Sequence, residues 1–263
     1  MALSGVRPPA TRAQLAELAA LHEAAERRRS GRMLVEGPLL LAEALDAGLV
    51  PTLVAVGEAP SPAALAVVLL AQRSGAPVVT LTGRAAARLS DREHAPGLLA
   101  AVPQPPRWDD KLPSAGPALL LALCGLQDPG NVGTLLRSAH AFGAVACLLS
   151  EGSADAFGPK VVRASAGAVF RLPTADAALG ALADLARRHG LQLAASAPPR
   201  PAAAARWSPP ARCLLLLGHE TRGVPEVPGA QPAVVPHEPA VDSLNVAMAG
   251  SILMADWYRA QRA

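Results

Sequence analysis

Three short stretches of this sequence gather polar residues directly after apolar runs. The first is Gln127-Asp128-Pro129-Gly130-Asn131-Val132-Gly133, continuing into Thr134-Leu135-Leu136-Arg137. Asn131 can cap a helix with its side-chain oxygen, and Gly130 and Gly133 let the backbone come close to a ligand. Arg137 would stand in the second turn with its side chain leaning back toward the helix start. A capped helix with a surface arginine accounts for the same residues without a ligand. The second stretch is Leu217-Gly218-His219-Glu220-Thr221-Arg222-Gly223. Glu220 follows a leucine run at once, a poor place for packing and a good one for holding an arginine or a ligand hydroxyl; a turn with a salt bridge is the plainer alternative. The third runs from Pro236 to Asn245. Asp242 or Ser243 would cap a following helix, whose N-terminus can receive an anion. Capping leaves Asn245 without an explanation.

Other site chemistries find no support. The sequence contains no GxxxxGK[ST], and the nearest approach, Gly152 to Lys160, has the wrong spacing, which speaks against ATP hydrolysis. Gly130 and Gly133 supply only GxxG where a dinucleotide fingerprint needs GxGxxG. HExxH and GxSxG are absent, and the histidines are scattered, so no metal site is expected.

For the three stretches to act together, one frame must hold them. In the N-terminal half, residues 11–29 read as a helix: Leu15, Leu18 and Leu21 keep helical spacing, and Arg27, Arg28 and Arg29 crowd its end. That cluster suits a helix C-terminus and equally an RNA contact. A strand and turn at Met33–Gly37, a helix over Pro38–Ala47, and strands at Thr52–Val56, Val78–Leu81 and Leu98–Val102 follow, with helical patterns at 62–74 and 84–90. Between Pro103 and Pro117 five prolines interrupt any repeat, which reads as a linker. The second half alternates again: strands at Ala118–Cys124, Val145–Leu149, Leu191–Ala195, Cys213–Leu217 and Ala233–Val235, and helices at Asn131–Phe142, Ala175–His189 and Ser243–Arg259. This is an α/β pattern with a mostly parallel sheet covered on both faces. The expected domains are 1–104, a linker at 105–116, and 117–263. In open parallel sheets ligands bind beyond the carboxyl ends of the strands, so the three stretches are expected to converge.

Composition narrows the partners. Hydrophobic residues make up 51% of 263 and charged residues 17%, enough core and too few charges for a disordered chain. The formal charge of +3 is carried almost wholly by arginine; Lys111 and Lys160 are the lysines. Arginine grips phosphate bidentately, although a GC-rich coding bias would also enrich it. Aromatics at 3% are too few for a base-stacking platform. Cys124, Cys147 and Cys213 lie in apolar runs and read as buried thiols. Met1–Ser30 has no secretory pattern, and no apolar run nears the ~18 residues that span a membrane, so a cytoplasmic protein is expected.

Taken together, the three stretches resemble the motifs of the SpoU (TrmH-like) family of SPOUT methyltransferases: DPGNVGTLLRSA at 128–139, LLGHETRGV at 216–224 and VDSLNVAMA at 241–249, in the family's order and spacing. The segment 159–168 also resembles the family's stretch between the first two motifs. Residues 30–37 and 95–100 look like the small α/β substrate-binding domain of ribosomal RNA members, which resembles a ribosomal-protein fold. His219 departs from the pattern, which usually has asparagine there.

The resemblance implies S-adenosylmethionine as methyl donor, no metal, and a ribose 2′-hydroxyl as acceptor. That hydroxyl separates RNA from DNA, and the N-terminal domain favours ribosomal over transfer RNA. The family's catalytic domain carries a deep trefoil knot; the second and third stretches would form it and hold the cofactor, with Gly218, Val235, Leu244 and Leu217 around it. It also implies a homodimer, with the final helix and Trp257 at the interface. Arg137 would be the central catalytic residue. Because arginine stays protonated, its expected role is to stabilise developing alkoxide charge and grip a phosphate. Asn131 and Glu220 would orient it, and Ser243 and Asn245 would position the nucleotide. A SpoU-like protein that binds RNA without methylating it and a nucleotide-dependent oxidoreductase are the rival classes. Cofactor binding separates the first, and the missing GxGxxG argues against the second.

Overall fold

The computed structural model describes residues 7–89, 97–198, 207–219, 222–238 and 240–262. Glu220 lies outside the described residues, as do Ser90, at the end of the predicted 84–90 helix, and Ala95 and Pro96. Two compact units emerge: Met1–Pro105 with Phe157–Arg163, and Pro106–Ala156 with Ala164–Ala263.

The first unit contains α1 (Arg12–Ala20), α2 (Ala24–Ser30), β1 (Arg32–Glu36), α3 (Pro38–Asp46), β2 (Leu53–Gly57), α4 (Pro62–Arg73), β3 (Val78–Leu81), α5 (Gly83–Leu89) and β4 (Leu98–Pro103). Its sheet runs β1-β4-β2-β3, with β4 antiparallel to both neighbours and β2 parallel to β3. On one face Leu34, Leu53, Val79 and Leu99 pack with Leu18 of α1 and Ala86 of α5. Thr11 and Gln14 form a reciprocal capping box at the start of α1.

Where helical spacing predicts one helix over 11–29, the structure has two, separated at Leu21–Glu23. The reason is Arg27. Only 4% exposed, it donates through Nη1 to the carbonyls of Leu21 and His22, both at 2.8 Å. Those carbonyls have lost their helical partners, so a guanidinium from the next helix satisfies them. Arg27 is therefore withdrawn from any RNA, and Arg29 is paired with Glu26 at 2.7 Å.

The second unit contains β5 (Ala118–Cys124), α6 (Pro129–Ala141) and β6 (Ala146–Leu149), after which the chain forms α7 (Pro159–Ala164). It continues with β7 (Thr174–Asp176), α8 (Leu182–Arg188), β8 (Gln192–Ala197), β9 (Arg212–Gly218), β10 (Gln231–Val234) and α9 (Val246–Ala260). Most of α7 clusters with the first unit, where Arg163 pairs with the buried Glu36 at 2.6 Å. The sheet order is β10-β8-β9-β5-β6-β7, and every neighbouring pair is parallel. Successive side chains of a strand point to opposite faces. Here both rows are apolar: Leu120, Ala122, Leu214 and Leu216 pack with Leu182, Leu185 and Ala186 of α8, while Leu217 lies against α9. A strand buried on both faces reads as an unbroken apolar run, as β5 and β9 do. The predicted helix over Ala175–His189 is corrected: its first residues form β7, an edge strand on β6, and the α-helix begins at Leu182.

Cys124, Cys147 and Cys213 are all buried, and burial pushes the Cys124 thiol up to about 11 and Cys213 up to about 12. The proline-rich stretch after β4 has no regular structure, yet it is fastened to the second unit. Trp108 N–H donates to the Thr174 carbonyl at 3.0 Å, and Asp110 accepts from His189 at 2.8 Å and Arg188 at 3.2 Å. Arg212 donates to the carbonyls of Pro113 and Gly116. No described helix is long and apolar enough to cross a membrane.

Candidate active site

From β5 the chain leaves toward β6 and β7, whereas β9, its other neighbour, belongs with β8 and β10. The chain order thus reverses between β5 and β9, and in open parallel sheets ligand sites gather near the loops beyond such a point. Those loops are the first two sequence stretches. The third joins them because it connects β10 to α9.

Asp128 caps α6 by accepting the Asn131 N–H at 2.8 Å, with Pro129 at the first helical position. This corrects the expectation that Asn131 is the cap. The Asn131 side chain is thereby left to bond elsewhere, and its Oδ1 accepts from Asn245 Nδ2 at 3.1 Å. Asn245 in turn caps α9, its Oδ1 accepting from Ala247 N and Met248 N at 2.9 and 3.2 Å. Neither Asp242 nor Ser243 caps the helix, contrary to expectation. One amide therefore starts α9 and ties it to α6. Farther along, Ser138 and Ser251 join hydroxyls at 2.7 Å. Gly250 lets the two helices and β9 close up: a Cβ there would lie 2.4 Å from Leu217 Cδ1 and 2.6 Å from Leu135 Cδ2.

Arg137 is exposed on α6 and has no ion-pair partner among the described residues. Six residues separate it from Asn131, about 120° around the helix and about 9 Å along it. The two side chains thus leave α6 on different faces.

Beyond the strand ends lies a cavity of about 570 Å³. Its walls come from the end of β8 (Ala195 to Pro198), the β9 loop (Gly218, His219, Arg222, Gly223, Val224), β10 and its exit (Pro232, Ala233, Val235, His237), and the entry to α9 (Ser243, Leu244, Val246). Gly218, Val235 and Leu244, expected around a cofactor, and Ser243, expected to position a nucleotide, all face it. Leu217 is buried in β9 beneath, and Asn131, Arg137 and Asn245 do not line it. The β9 loop doubles back sharply: His219 bridges Gly223, whose N–H donates to the His219 carbonyl at 2.8 Å. A Cβ on Gly218 would sit 2.1 Å from the Gly223 backbone, so only glycine fits.

The volume suits a nucleoside-sized ligand. Val235, Leu244, Ala249 and Leu253 offer apolar walls, and Ser196 and Ser243 offer hydroxyls. Among the described lining residues the charged or titratable side chains are Arg222, His219 and His237, with no carboxylate. Sequence reasoning missed the β8 wall and gave His237 no role. The rule that sites gather at strand ends pointed to β8, but Ala195-Ser196-Ala197 carries no chemistry that would draw attention. No group of three or more potential metal ligands occurs among the described residues.

Comparison with known proteins gives the same picture. The model of the SpoU rRNA Methylase family matches residues 118–255, and that of the MRM3-like substrate binding domain matches 13–100. The chain is 31% identical over 238 residues to a 23S rRNA (guanosine(2553)-2′-O)-methyltransferase of Bacillus subtilis, covering 89% of this chain and 91% of that one. A solved RNA 2′-O ribose methyltransferase superposes with a TM-score of 0.81 at 29% identity, over 98% of this chain and all of the other. An AdoMet-bound rRNA methyltransferase from Sinorhizobium meliloti superposes with a TM-score of 0.79 at 25% identity, over 96% of each chain.

Proposed function

The chain belongs to the SpoU rRNA methylase family, and from that premise we propose that it methylates a ribose 2′-hydroxyl of ribosomal RNA using S-adenosylmethionine. The observation that carries the reading is the cavity at the ends of β8, β9 and β10, closed by the glycine-dependent turn at Gly218 and bordered by the entry to α9. Gly218, Val235 and Leu244 would hold the methyl donor there, above the buried Leu217. When bound, that donor supplies an electrophilic methyl group.

The residues of the chain supply the rest. The acceptor hydroxyl is a weak nucleophile until its proton is drawn off, here to solvent water as the oxygen takes the methyl group. Arginine side chains do not act as bases in proteins, so the part of Arg137 is to stabilise the charge growing on that oxygen and to grip a nearby phosphate. The Asn131–Asn245 bond holds the helix bearing Arg137 against the helix whose entry walls the cavity. Glu220 would orient the guanidinium, and Ser243 and Asn245 the nucleotide.

Residues 1–104 would bind RNA, 105–116 link, and 117–263 carry the chemistry. The match to a substrate-binding domain over 13–100 supports ribosomal over transfer RNA. We further propose a cytoplasmic homodimer.

The test is transfer from isotope-labelled S-adenosylmethionine to unmodified ribosomal and transfer RNA, followed by nucleoside analysis. Label is expected in a 2′-O-methyl nucleoside of ribosomal RNA. Arg137→Ala should lower turnover by about a hundredfold or more, as loss of an oxyanion-stabilising group does. Label in transfer RNA alone would reassign the substrate, and no cofactor binding would leave an RNA-binding protein.

A further inference from the structure

His237 lies on the chain between β10 and α9, half-buried at the edge of the cavity. Its ring spans its own loop. Nδ1 is 2.9 Å from the Val235 carbonyl, and Nε2 is 3.1 Å from the Val241 carbonyl. Both partners are carbonyl oxygens, which only accept. A neutral imidazole has one N–H, so it can bond one carbonyl while its bare nitrogen faces the other; only the imidazolium donates to both. The same loop is narrowed by the Val241 N–H, which donates to the Glu238 carbonyl at 3.0 Å. The two ends that the ring joins matter for the cavity: Val235 lines it, and Ser243 and Leu244, just past Val241, line it too.

We propose that His237 is a positioning residue for the methyl donor, whose doubly donating, protonated ring braces the β10–α9 loop so that Val235, Ser243 and Leu244 hold the cavity wall in place. This rests on the reading of the cavity as the cofactor site.

The surrounding charges set the balance. Across the cavity, the β9 loop presents Arg222, which opposes a second positive charge, and the imidazole of His219. On the loop itself Glu238 and Asp242 favour one. The β8 wall contributes the neutral Ser196, and α9 faces the cavity with Val246, Ala249 and Leu253. Imidazoles ordinarily change charge between about pH 5 and 8. Loss of the second ring proton at higher pH therefore loosens the brace, and cofactor affinity falls with it.

The experiment is calorimetric titration of the full chain with S-adenosylhomocysteine from pH 5.5 to 8, in wild type, His237→Gln and His219→Asn. Wild type should bind about tenfold more weakly at the alkaline end, the size of one charged hydrogen bond. In His237→Gln affinity should be uniformly weak and flat with pH; subtracting its profile also removes any titration of the ligand. The slope should persist in His219→Asn. In turnover the substitution should raise KM for the donor and leave kcat largely unchanged. A slope retained in His237→Gln, or lost in His219→Asn, overturns the proposal while leaving the cofactor site intact. Absence of binding in wild type at every pH overturns both. Because the wild-type slope is itself diagnostic, a flat wild-type profile overturns the proposal even if His237→Gln fails to fold.

Discussion

Asn245 shows how much one side chain at this site does. Its oxygen accepts the first free N–H groups of α9, and its NH₂ reaches Asn131 on α6. Aspartate keeps the acceptor and removes the donor. Asn245→Asp should therefore retain the cap, with stability within about 0.5 kcal/mol because aspartate and asparagine cap almost equally. Turnover should fall about tenfold as the tie to Asn131 is lost. Paired urea unfolding and methyl-transfer assays check this; a loss of stability in proportion to activity would make the bond merely structural. At this scale the sequence was half legible. Residue types mark three loops, of which the second and third line the cavity, and local sequence assigns capping to Asn131 and to Asp242 or Ser243, whereas Asp128 and Asn245 perform it. Pro129 was the available signal for Asp128, since proline marks the first helical position. Nothing local distinguishes Asn245 from Ser243, because the choice depends on Asn131, 114 residues away in the chain.

Elements were legible where periodicity alone decides them. β5 and β9 are unbroken apolar runs and were read correctly, whereas β7 is three residues, Thr174–Asp176, with no alternation to read. It exists because β6 offers an edge. Likewise the break between α1 and α2 is made by Arg27, a contact that helical spacing cannot reveal. The packing of α9 is more demanding still. Gly250→Ala would push a methyl into Leu217 and Leu135, which are fully buried. Overpacking of this kind costs about 1–3 kcal/mol, to be read from the urea midpoint. The proline-rich stretch gives a pH-dependent element. Hydrogen bonds from His189, then from Arg188, hold the Asp110 carboxyl below its ordinary value of 3.8. A carboxylate lowered in the folded state adds stability above its unfolded value and loses it as pH falls through the folded one. The thermal midpoint of wild type should exceed that of Asp110→Asn at pH 5.5, and the difference should shrink below about pH 4. A constant difference would mean that the carboxylate charge is not what matters.

For the whole molecule, the parallel α/β class followed from alternating strands and helices, but strand order did not. Crossover lengths do not say on which side of β5 the next strand lies. Self-association is where a sequence expectation needs rebuilding from the surface. Trp257, expected at a dimer interface, is 5% exposed within its own chain and donates to the Pro210 carbonyl at 2.9 Å. It is already committed to its own fold. The unpartnered apolar side chains of α9 are Met248, 57% exposed, and Ile252, 40% exposed. Four residues apart, they share one helix face, and Val241 is exposed just before the helix. A twofold axis beside that face would bring the same residues of two copies together, as an isologous interface requires. Charges placed there should separate the copies without disturbing the fold, because neither side chain contributes to the core. Met248→Glu with Ile252→Glu should therefore sediment as monomer at micromolar concentration where wild type is expected to sediment as dimer, with the thermal midpoint of wild type diluted to monomer. A wild type that is monomeric when concentrated would remove the dimer, and a double variant that stays dimeric would move its interface away from α9.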